Sequence, residues 1–77
     1  MRQTRSAGVE IDGAKLRELR QLSGDRLVTF APKCGISKQY LSQIERGDRP
    51  RVSPPTYARI CLALGVNRRT LLRTSAA

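Results

Sequence analysis

Along this chain, apolar residues recur at helical spacing, in short stripes closed off by capping and breaking residues. Asp12 suits the N-cap of a first helix, and Ile11 before it and Leu16 after it have the spacing of a hydrophobic staple. Leu16, Leu19 and Leu22 form a narrow stripe that ends at Leu22 or Ser23, with Gly24 as the stop. Phe30, Ala31 and Cys34 keep helical spacing in the next segment, yet Pro32 has no amide hydrogen to donate. This second helix either starts late, capped by Thr29, or starts near Arg26 and bends at Pro32. Either way it is short or distorted. A third helix has a marked start at Ser37 and a stop at Gly47, with Leu41 and Ile44 on its inner face and Ile36 just before the cap. A stiff basic loop, Asp48 to Val52, leads to Ser53-Pro54-Pro55, which opens a fourth helix with proline where its missing N–H costs nothing. Tyr57, Ile60, Cys61 and Leu64 make its core-facing stripe, and Gly65 ends it. Asn67 is read as the cap of a last short helix through Leu72. The expectation is an all-α domain of five short helices with no strands and no repeats.

The polar positions of the third helix carry the functional signal. Lys38, Gln39, Ser42, Gln43 and Arg46 follow the rows of one face that holds no apolar residue and no acid. Amides, a hydroxyl and cations are the groups that read base edges and grip phosphates in a major groove.

Composition strengthens that signal. The chain has 77 residues, which suits one domain, and 15 Lys plus Arg against 6 Asp plus Glu give it a formal charge of +9. Such a charge on a small body favours polyanions, nucleic acid before anionic membrane. No run of 18 apolar residues and no apolar signal-peptide core is present, so a cytoplasmic protein is expected. There is no histidine, and the two cysteines, Cys34 and Cys61, fall at apolar positions, so buried free thiols are expected and no metal site or cofactor. With no histidine, no metal-ligand cluster and no activated-nucleophile constellation, nothing could hold a general base in place, and no enzyme is expected. Residues 1–10 bury almost nothing and are read as a disordered basic arm; residues 11–73 form the domain and 74–77 a tail.

The order of these elements resembles the phage-repressor and Cro-like family of helix-turn-helix DNA-binding domains. The resemblance rests on Leu16-Arg17-Glu18-Leu19-Arg20, Phe30-Ala31, Gly35-Ile36-Ser37, the block Tyr40 to Gly47, Ser53-Pro54, and Leu62-Ala63-Leu64-Gly65-Val66. It implies a compact lambda-repressor-like fold whose helix-turn-helix is formed by the second and third helices. Ala31 matches the small residue that lets those helices approach, and Gly35 the turn glycine. Arg20 and Glu45 match a pair that forms a structural salt bridge in similar proteins, which makes Glu45 a structural residue within the reading helix. Pro32 and Leu27 depart from the pattern: Leu27 stands where similar repressors often carry a polar residue on a phosphate, leaving Arg26, Lys33 or the arm to compensate. Leu62 also departs, since the family often has a polar residue there.

The resemblance implies a transcriptional regulator, read as a repressor that acts by occupying an operator in a bacterial nucleoid or a phage-infected host. Lys38, Gln39, Ser42 and Gln43 are the expected base readers. Arg46, Arg49, Arg51, Tyr40, Arg26 and Lys33 are the expected phosphate contacts, and Arg2 and Arg5 would serve a minor-groove arm. Leu62, Leu71 and Leu72 are the expected surface of a homodimer on a two-fold operator. The alternatives are an antitoxin or controller protein of the same fold that also binds a protein, and a sequence-indifferent architectural protein. With aromatics limited to Phe30, Tyr40 and Tyr57, a base-stacking platform is poorly supplied.

Overall fold

A computed structural model describes residues 8–73 of the chain. Its elements run β1 (Val9–Glu10), α1 (Gly13–Ser23), α2 (Leu27–Cys34), α3 (Lys38–Arg46), β2 (Arg51–Val52) and α4 (Pro54–Leu64). Three helix starts use the side-chain caps expected from the sequence. Asp12 Oδ1 accepts from Lys15 N at 3.0 Å, Ser37 Oγ from Tyr40 N at 3.0 Å, and Ser53 Oγ from Thr56 N at 3.3 Å.

Helix α2 resolves the ambiguity around Pro32 in favour of an early start. Arg26 is its cap residue, with its backbone N–H donating to Thr29 Oγ1 at 2.9 Å, so Thr29 lies inside the helix. Pro32 is also inside, on the solvent side. The carbonyl left without an intrahelical donor is that of Val28, an exposed residue, where water can serve in place of the missing N–H. Gly35 follows with φ at 72°, a left-handed value that a side chain would strain, and this makes the tight turn into α3.

The core is built from the inner faces of all four helices, with Leu16, Phe30, Leu41, Ile44 and Ile60 fully buried. Ala31 is buried too, as the approach of α2 to α3 requires. Cys34 and Cys61 are buried free thiols. Burial pushes the Cys34 thiol up to about 11 and raises that of Cys61.

Three expectations need correction. The stripe on α1 does not bury its last member: Leu22, six residues on and so turned about 120° around the helix from Leu16, is 76% exposed. The predicted fifth helix is a single turn: Thr70 N donates to the Asn67 carbonyl at 3.0 Å, and Leu72 then bridges to Ile11 in strand fashion. A chain that must run beside Ile11 has to be extended, which ends any helix after one turn. The third correction concerns strands. Val9 and Glu10, assigned to the arm, pair antiparallel with Val52 and Arg51 in the basic loop. Two residues are too few to display an alternating pattern, so the pairing left no periodic trace in the sequence. Among the described residues, no helix is long and apolar enough to cross a membrane, and no acidic or cysteine cluster could hold a metal ion.

Candidate nucleic-acid interface

Helix α3 is held from beneath by Leu41, Ile44 and Glu45, all buried. The same spacing that sends these three inward turns Lys38, Gln39 and Arg46 outward, with Ser42 and Gln43 half-buried at the flank. Lys38, Gln39, Ser42, Gln43 and Arg46 converge on one open depression of about 250 Å³, with Leu27 as its apolar wall. The base-reading residues expected from the sequence therefore share one surface.

That surface is set by an ion pair underneath it. Arg20 Nε donates to Glu45 Oε2 at 2.6 Å and Nη2 donates to Oε1 at 2.9 Å. The remaining nitrogen, Nη1, donates to the Asp25 carbonyl at 2.9 Å. One guanidinium thus ties α1, the loop before α2, and α3. The hydrogen bonds to Glu45 raise the Arg20 guanidinium above its ordinary range, although its burial acts the other way.

The expected phosphate contacts divide by their present partners. Arg46 pairs with Asp48 at 3.1 Å, Lys33 with Asp25 at 3.2 Å, and Arg51 with Glu10 at 3.4 Å. Exposed pairs of this kind are worth only ~0–1 kcal/mol, so each cation can exchange its carboxylate for a phosphate at little cost. Arg49 is placed differently. Its Nε donates to Gln43 Oε1 at 3.1 Å, and its guanidinium lies 5.6 Å from the centre of the Tyr40 ring. Arg26 is exposed at the start of α2. Arg2 and Arg5 lie outside the described residues.

Two residues on this surface were missed or undervalued in the sequence. Arg17 lines a second depression, of about 230 Å³, together with Arg20, Leu27, Ser42, Glu45 and Arg46. Its signal was available: one turn before Arg20 on α1, it follows wherever Arg20 is placed. Leu27, in the sequence only a lost hydrogen bond, borders both depressions. A larger hollow of about 390 Å³ lies at the other end of α3, lined by Gly13, Ala14, Glu45, Arg46 and Gly47 among others, and holds none of the expected base readers.

Of the leucines expected to pair two copies, Leu71 is fully buried and belongs to the core. Leu62 is 80% and Leu72 41% exposed. Leu71 closes the turn on its buried side, and Leu72 follows at the bridge to Ile11.

A model of the helix-turn-helix domain family matches residues 13–74. Three solved structures are similar over most of the chain. The restriction-modification controller protein C.AhdI from Aeromonas hydrophila is 34% identical, with a TM-score of 0.71, covering 75% of this chain and 86% of that one. The master regulator for biofilm formation SinR, solved in complex with DNA, is 30% identical with a TM-score of 0.73, covering 78% and 95%. The clp gene regulator ClgR from C. glutamicum is 38% identical with a TM-score of 0.67, covering 74% and 73%. Among curated proteins, none matches the chain.

Proposed function

Because this chain belongs to the helix-turn-helix domain family, we propose that it binds double-stranded DNA and represses transcription by occupying an operator, with α3 in the major groove. It is a DNA-binding transcriptional regulator, not an enzyme. The observation that carries the finer reading is the convergence of Lys38, Gln39, Ser42 and Gln43 on one open polar surface. An α-helix fits the major groove, and its N-terminal residues meet the base edges first. Lys38 would pair guanine O6 and N7, and the Gln39 and Gln43 amides would bond adenine N6 and N7. Arg46, Arg51, Arg26 and Lys33 would hold phosphates and so fix register without reading sequence. The similarity to SinR, solved on DNA, supports this reading.

Selection of bound duplexes from a random pool tests it. A preferred sequence should emerge and survive an excess of random DNA. Gln39→Ala should flatten preference among variants of that sequence. Arg51→Ala should instead weaken all duplexes alike and lower the slope of log K against log salt by about 0.9. If both changes act equally on preferred and random duplexes, the division of roles is wrong. A two-fold arrangement on half-sites would use the exposed Leu62 and Leu72, and sedimentation showing only monomer, free and on DNA, would remove it.

A further inference from the structure

We propose that Leu27 reads the C5-methyl group of thymine, as the apolar member of an otherwise polar reading surface. The proposal rests on the base-reading role of α3 and adds a residue from α2 to it. Leu27 is half-buried, and it is the single apolar residue among those lining the depression shared by Lys38, Gln39, Ser42, Gln43 and Arg46. A leucine has no donor for a phosphate oxygen. What a base pair offers it in the major groove is the thymine methyl, since the remaining features there are hydrogen-bond donors and acceptors.

Leu27 is also held in place. Its helix starts on the Arg26–Thr29 contact, and the loop before it is pinned where Arg20 Nη1 donates to the Asp25 carbonyl at 2.9 Å. Arg20 in turn grips Glu45 of α3, so the position of Leu27 relative to the reading residues is fixed through one guanidinium. A methyl group seated against Leu27 would lie beside the Gln39 and Gln43 amides. An adenine–thymine pair could then be read on both its bases: the amide to adenine and the leucine to its thymine partner.

The test uses the whole chain and the duplex it selects from a random pool, resynthesised with deoxyuridine in place of each thymidine in turn. Deoxyuridine removes the methyl group and leaves the hydrogen-bonding edge intact. At one thymine per half-site, binding should weaken about fourfold, the value expected for one methyl-sized group withdrawn from apolar contact. 5-Bromodeoxyuridine, which restores a methyl-sized group, should recover the affinity. The penalty should vanish in Leu27→Ala, shrink in Leu27→Val, which keeps an apolar side chain over the core, and persist in Gln39→Ala. A preferred duplex on which every deoxyuridine matches thymidine would overturn the assignment of Leu27 alone. So would a penalty that persists undiminished in both Leu27 variants. A pool from which no preferred duplex emerges would overturn base reading and the Leu27 assignment together.

Discussion

Arg20 and Glu45, 25 residues apart in the chain, meet through two hydrogen bonds of 2.6 and 2.9 Å in a site that water barely reaches. The contact joins α1 to α3 through charge, beneath the surface proposed to face DNA. Losing one partner strands the other charge in a buried place. Arg20→Ala and Glu45→Ala should each lower the unfolding free energy by about 3–5 kcal/mol. The joint replacement Arg20→Ala with Glu45→Ala leaves neither charge stranded, so it should cost less than the sum of the single changes. Urea denaturation of the four chains measures all of this, and additive losses would show that the pair acts as two independent side chains.

The same seam between α1 and α3 depends on a close approach at Gly13. A Cβ built there would stand 2.1 Å from the Ile44 carbonyl oxygen and 3.1 Å from that of Glu45. Both are backbone atoms, which cannot rotate out of the way. Gly13→Ala should therefore push the two helices apart and destabilise the fold by about 1–3 kcal/mol, in the range for overpacked cores. In an exposed helix the same change would be stabilising, because glycine is the poorer helix former. The sign of the change in denaturation midpoint decides between the two.

These two contacts show where sequence reading succeeds and where it stops. Asp12, Ser37 and Ser53 were legible as caps because a cap is a local bond between residues three apart. Likewise, the polar side of α3 could be read from spacing within one helix. The α1 stripe drifts by its own geometry: two three-residue steps turn Leu22 about 120° around the helix from Leu16, so one is fully buried and the other largely exposed. The pairing of Val9 with Val52 spans too few residues to impose a period, and the turn after Asn67 is cut short by the need to run beside Ile11. Arg20 and Glu45 came from a family resemblance, since neither spacing nor charge count links them. Leu27 stands out in the sequence as a departure, but its place beside the polar residues of α3 depends on how α2 packs against α3.

Arg49 is bound to Gln43 on the proposed reading surface, so it should not behave as a simple phosphate contact. Its Nε donates to Gln43 Oε1, and its charge faces the Tyr40 ring. The bond takes one lone pair of Gln43 Oε1 and orients the amide, leaving the second lone pair and the amide nitrogen for a base. Arg49→Ala should weaken binding to all duplexes and also relax preference at the base pair that Gln43 reads. A double-mutant cycle of Arg49→Ala and Gln43→Ala on the selected duplex should give a coupling of at least about 0.5 kcal/mol, as for residues in direct contact. Strict additivity would return Arg49 to the phosphate group.

Cys34 gives the fold a dependence on alkaline pH whose sign follows from burial. The ordinary thiol value of 9.0 is raised to about 11 at this site, chiefly because the ionised form would be desolvated. Below about pH 8 both the native and the unfolded chain keep the proton, and this group contributes its full stability. Between the two values the unfolded chain releases a proton that the native chain retains, so stability falls as pH rises. The denaturation midpoint should be level from about pH 6 to 8 and decline from about pH 9 to 11. Cys34→Ala should be less stable at neutral pH through the cavity it leaves, yet its alkaline decline should be shallower. Cys61, raised in the same direction, would supply what slope remains. The thiolate is the reactive form, so both thiols should react with a disulfide reagent slowly in the native chain and quickly in urea. A decline as steep without Cys34 as with it would show that alkaline unfolding is driven by other groups, with Tyr57, pushed up to about 12, as the next to titrate.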